Sequence, residues 1–92
     1  MNTYVRNQIM RKAVAKNGDL MQQVVLIEEM SELTKEICKH YRGEDNKEKI
    51  AEELADVYIM LRQLEIIHDI KDKDIEKMID RKLQRLEIRI GG

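Results

Sequence analysis

A chain of 92 residues is one domain, near the lower end of the size at which a core holds without disulfides or metal. Its single cysteine, Cys38, excludes an intramolecular disulfide, and no Cys/His spacing resembles a zinc site. Seventeen basic residues nearly balance eighteen acidic ones, for a formal net charge of −1, which argues against nucleic acid as a partner because such binders carry a basic excess.

Apolar residues recur along most of the chain at a spacing near 3.6, and no useful stretch alternates with period two. Proline is absent and there is no Phe or Trp, so the core is expected to be Leu, Ile, Val, Met and Ala on long helices. The first predicted helix runs from about Thr3 to Lys16, with Val5, Ile9 and Val14 loosely on one side. Asn17-Gly18 stops it, since glycine tolerates the left-handed conformation of a helix C-terminus. Asp19 with Gln22 three residues on reads as a capping box for the second helix, which reaches about Tyr41 and is expected to bury some of Leu20, Val24, Ile27, Leu33 and Ile37.

Arg42-Gly43-Glu44 ends that helix, and Asp45 with Glu48 repeats the capping-box pattern. The third helix extends to about Ile67, with Leu54, Val57, Leu61 and Leu64 on one stripe. A second apolar set on it, Ile50, Tyr58, Ile59, Met60 and Ile66, implies cover on more than one side, hence a homo-oligomer. The fourth helix starts near Asp72 and carries Ile75, Met78, Ile79, Leu83, Leu86 and Ile90. The expected fold is all-α, a four-helix bundle-like single domain over residues 1–92. Cys38 reads as a small buried or half-buried residue and the six methionines as core filler. The longest apolar run, Val57 to Leu61, is far short of a membrane span, and residues Met1 to Val14 contain no signal-like apolar region. No membrane partner and a cytoplasmic location are the expectations.

Chemistry concentrates in two acidic segments. Glu28-Glu29-Met30-Ser31-Glu32 lies on the second helix and Glu52-Glu53-Leu54-Ala55-Asp56 on the third. Each places two carboxylates at i,i+3 (Glu29 with Glu32, Glu53 with Asp56), on one face with Cβ atoms about 5–6 Å apart. On antiparallel neighbouring helices such pairs can aim at one point, where their mutual repulsion favours a cation. Magnesium suits oxygen ligands and keeps water and phosphate in its other positions. The alternative stays open: among eighteen acids, a solvated acidic pair is common.

Glu28-Glu29-Met30-Ser31-Glu32-Leu33, followed by Glu52-Glu53-Leu54-Ala55-Asp56-Val57, resembles the MazG-like all-α nucleoside triphosphate pyrophosphohydrolases. Their signature is Glu-x-x-Glu, some twenty residues, then Glu-x-x-Asp. The resemblance spans about Leu20 to Leu86, and Lys82-Leu83-Gln84-Arg85-Leu86 looks like the basic stretch on the family's last helix. It implies Mg2+-dependent cleavage of a nucleoside triphosphate between the α- and β-phosphates, releasing a monophosphate and pyrophosphate. By position it implies Glu29, Glu32, Glu53 and Asp56 as metal ligands, and Glu28 or Glu32 as the residue that orients or deprotonates water. Lys82 and Arg85 would neutralise the polyphosphate, with Lys77 and Arg81 as nearby substitutes; the alternative for each is a solvated basic helix face. The family's members are dimers or tetramers, so a homodimer or homotetramer is expected.

Three rivals stand beside this reading. Phosphoribosyl-ATP pyrophosphohydrolase shares the acidic pairs, but Val57-Tyr58-Ile59-Met60-Leu61 after Asp56 lacks the Tyr-His pair associated with that enzyme. A di-iron carboxylate bundle needs Glu-x-x-His on two helices, and only Glu65-Ile66-Ile67-His68 supplies one; His40 has Ile37 three residues before it. His68 is instead expected at a helix C-terminus, where positive charge is favoured. The third rival is a non-enzymatic helical interaction or regulatory module, in which the acids are merely solvated.

Overall fold

The computed structural model describes residues 1–91, and among them there are four helices and no strand. They are α1 (Thr3–Asn17), α2 (Asp19–Tyr41), α3 (Lys47–Ile67) and α4 (Asp72–Arg89). None is long and apolar enough to cross a membrane. The boundaries fall within a residue or two of those expected, because each break is dictated locally. Gly18, at φ 92°, takes a positive-φ conformation that costs a side-chain-bearing residue dearly, and its N–H closes α1 by donating to the Val14 carbonyl at 2.8 Å. Gly43, at φ 104°, does the same in the turn between α2 and α3.

The caps differ from expectation. Asn2 caps α1, its Oδ1 accepting from the Val5 N–H at 2.9 Å. Neither expected capping box forms. Gly18 itself is the N-cap of α2 with no side-chain bond, leaving Asp19 inside the first turn, where its charge favours the helix dipole. Gln22, the other half of that box, is turned inward. Asn46 rather than Asp45 is the N-cap of α3, and its amide is spent elsewhere: Nδ2 donates to the Glu36 carbonyl oxygen at 2.8 Å and to Glu36 Oε1 at 3.1 Å. The buried Oδ1 of Asn46 has no partner.

The main packing is α2 against α3, with α1 laid against both. The inner stripe of α2 is Gln22, Leu26, Glu29, Leu33 and Glu36, a 4-3-4-3 spacing that keeps one face toward its partner. Of these, Gln22, Leu26 and Glu36 are buried, while Leu20, Val24, Ile27 and Ile37, expected in the core, stand 40% or more exposed. The facing stripe of α3 has Glu53, Val57, Met60 and Gln63 buried, with Leu54 and Leu64 half-buried and Leu61 exposed. Met10 and Val14 are what α1 buries, and Val5 and Ile9 remain outside. The seam is therefore half polar. Gln22 Nε2 donates to Gln63 Oε1 at 2.7 Å across it, and Asn17 donates to Gln22 at 3.1 Å, so the buried amides are matched.

Cys38 is exposed, against expectation, because it lies on the outer face of α2. Met10 and Met60 fill the core; Met1, Met21, Met30 and Met78 do not. Helix α4 buries no residue at all. What fastens it is the fork of Arg62, whose Nη1 and Nη2 donate to Asp72 Oδ1 and Oδ2 at 2.7 and 3.2 Å.

Candidate metal centre

Glu29 sits at the middle of the α2 stripe, two rungs from Gln22 and two from Glu36, facing the first half of α3. There α3 presents Glu53 and, one turn on, Asp56. One carboxylate oxygen from each of Glu29, Glu53 and Asp56 falls within 4.8 Å of the other two. Glu53 is buried, Glu29 half-buried and Asp56 exposed, so the group is walled by the seam on one side and open on the other. Among the described residues it is the one such gathering of three His, Cys, Asp or Glu side chains, and no histidine joins it.

The electrostatics follow from that placement. The Glu29 carboxyl is held above the usual carboxylate range, first by burial, then by the negative charges of Asp56 and Glu53, a hydrogen bond with Asp56, and the charge of Glu32. Glu53 is partly balanced: Lys49 Nζ lies 3.4 Å from its Oε1 and 3.6 Å from Glu52 Oε2. The two glutamates raise the pKa of Lys49, Glu53 most strongly through its hydrogen bond. The three oxygens thus face one another without enough cations to neutralise them. An all-carboxylate set is the donor chemistry of a hard, oxygen-preferring divalent ion, and magnesium fits it where a thiolate- or imidazole-seeking metal does not.

Of the residues singled out from sequence, Glu29, Glu53 and Asp56 come together. Glu32, the fourth expected ligand, is exposed and outside the group of three, though near enough for its charge to be felt at Glu29. Glu28 is exposed on the flank of α2. Lys82 and Arg85 lie with Leu86 and Arg89 around a shallow groove on α4, a helix that forms no ion pair with the cluster. His68 caps the end of α3 as expected, and its Nε2 donates to Gln23 Oε1 at 2.9 Å, so it is spent on fastening α2 to α3.

The residue that sequence reasoning missed is Glu36. It is 4% exposed and bound by Asn46 and by Lys39 Nζ at 3.3 Å. Its place seven residues after Glu29 was the available signal. The Asn46 hydrogen bond, more than the nearby lysines, holds its carboxyl below the usual range against the opposing effect of burial. No protein-family model, curated protein or solved structure matches this chain.

Proposed function

We propose that this chain is a magnesium-dependent nucleoside triphosphate pyrophosphohydrolase of the MazG-like kind, acting as a homodimer or homotetramer. The observation that supports the reading is the meeting of Glu29, Glu53 and Asp56 from two helices within 4.8 Å, at the motif positions that the family resemblance would select. Glu29, Glu53 and Asp56 would hold the ion, with Glu32 joining from the next turn of α2. Bound there, magnesium supplies Lewis-acid polarisation of phosphate oxygens and lowers the pKa of water.

The rest is the work of the chain itself. Glu53, buried and braced by Lys49, fixes one side of the site, so its carboxylate direction is set before any ligand arrives. Asp56, exposed, gives the open side on which a polyphosphate and water can enter. Glu28 and Glu32, both exposed beside Glu29, are the two candidates to orient or accept a proton from the attacking water. The cations of α4, Lys82 and Arg85 with Lys77 and Arg81 as nearby substitutes, would be the chain's supply of charge for the polyphosphate.

Pyrophosphate release measured across standard and damaged nucleoside triphosphates, with and without magnesium, tests the reading. The expected products are a nucleoside monophosphate and pyrophosphate, formed only with the metal. Orthophosphate from the γ-position would overturn it and mark a phosphatase. Turnover of phosphoribosyl-ATP in preference to free triphosphates would move the chain to that rival. No turnover and no magnesium response would leave the interaction module, which the exposed apolar face of α4 favours.

A further inference from the structure

Four helices of this length should close on themselves, and these do not. A compact domain of 92 residues has a radius of gyration of about 12 Å, whereas this chain has 16.0 Å. Its accessible surface is 7618 Å2, against about 5600 Å2 for a folded monomer of 10.9 kDa. The excess, about 2000 Å2, is more than the roughly 800 Å2 that each partner gives to an ordinary stable interface. On α4 and its C-cap, Ile79, Leu83, Leu86 and Ile90 are 41, 54, 44 and 72% exposed, while α4 buries no residue within its own chain.

Those four residues are spaced 4-3-4, the seam positions of a coiled coil. In that register Lys82 and Arg89 flank the seam on one side, Asp80 and Glu87 on the other. One flank is basic and one acidic. Two such helices running antiparallel bring basic flank to basic and acidic to acidic. Running parallel, they bring basic to acidic, and the five-residue offset between facing flanks sets Lys82 against Glu87 of the partner subunit.

We propose that α4 is a self-association helix, pairing parallel and in register with α4 of a second copy of this chain. The inference rests on the self-association included in the reading above and adds which helix carries it, in which direction. Pairing engages Lys82 at the seam edge and leaves Arg85, Arg81 and Lys77 on the outer face, free for an anionic ligand.

Light scattering and sedimentation of the full chain, without magnesium or nucleotide, test it. Wild type is expected at a multiple of 10.9 kDa. Leu83→Asp/Leu86→Asp is expected as a monomer of unchanged helical circular dichroism, since α4 buries nothing within its own chain. Glu87→Lys is expected to raise the dissociation constant, and adding Lys82→Glu to restore it. An oligomer indifferent to the double aspartate variant would overturn the role of α4 while sparing self-association. Tighter association of Glu87→Lys would overturn the parallel direction. A monomeric wild type at micromolar concentration would overturn both, while a catalytic failure would touch neither.

Discussion

Glu29 and Glu36 are the same residue type on the same face of the same helix, seven residues apart, yet their surroundings drive them in opposite directions. Glu36 meets donors: Asn46 foremost, then Lys39, and its carboxyl is held below the ordinary range. Glu29 meets burial and then the carboxylates of Asp56 and Glu53, and its carboxyl is held above it. A carboxylate turned into a helix seam is costly unless something compensates it. At Glu36 the compensation is built into the chain. At Glu29 it is missing, and a divalent cation is what would supply it.

The largest expected contrast is in turnover. Asp56→Asn or Glu53→Gln should lower magnesium-dependent pyrophosphate release by about 100-fold or more, since even outer-shell partners of metal ligands are worth 10–100-fold. Glu36→Gln should leave it near wild type, because the Asn46 bond to Oε1 survives. Equal losses in all three, measured under saturating magnesium, would erase the distinction between the two glutamates.

The neutral rung of the seam, Gln22 with Gln63, is satisfied within the chain as Glu36 is. Gln63→Leu strands the buried Gln22 amide and should cost about 1–3 kcal/mol in denaturant unfolding, whereas Gln22→Leu/Gln63→Leu should recover most of the loss. A double variant as unstable as the single would show that shape, not hydrogen bonding, governs this end.

Smaller effects follow at the glutamates themselves. Glu29→Gln removes one of three facing charges and should stabilise the metal-free protein by up to about 1 kcal/mol, water in the open site having weakened the repulsion. Its melting temperature without magnesium should therefore rise; a fall would mean that the carboxylate is compensated after all. For Glu36 the sign is opposite. A folded-state pKa below the unfolded value of 4.5 adds stability that is complete above that value and is lost as pH falls through the depressed one. Unfolding curves below pH 4.5 should thus decline more steeply for wild type than for Glu36→Gln, and parallel declines would remove Glu36 from the account.

Where α1 and α2 end was legible because Gly18 and Gly43 break the pattern, whereas the break between α3 and α4 has no glycine and turns on Asp69, at φ 51°. Which face of α2 turns inward was not. Hydropathy points to Leu20, Val24, Ile27 and Ile37, but the inward stripe holds Gln22, Glu29 and Glu36, whose partners Gln63 and Asn46 are 41 and 10 residues away in sequence. A polar residue reads as outside until its partner is known. The same limit explains the lost capping boxes, since Gln22 and Asn46 were drawn to tertiary partners. Of the acidic pairs, Glu53 with Asp56 meets Glu29 as their spacing suggested. Glu32 shares a helix face with Glu29 but, about 60° further round, falls on the exposed flank. Nothing local revealed that α4 would stay unpacked, because its amphipathic pattern is the same whether the cover is this chain or another.

Whether Glu29, Glu53 and Asp56 hold one cation is decided by melting curves of wild type and Asp56→Asn, each with and without magnesium. A ligand stabilises the fold only as far as it binds the folded state. Magnesium should raise the melting temperature of wild type, Asp56→Asn should melt higher than wild type without the metal, and the variant should lose most of the magnesium response. Four curves lying within about a degree of one another would contradict such a site, since a solvated carboxylate changed to its amide is ordinarily worth under about 0.5 kcal/mol.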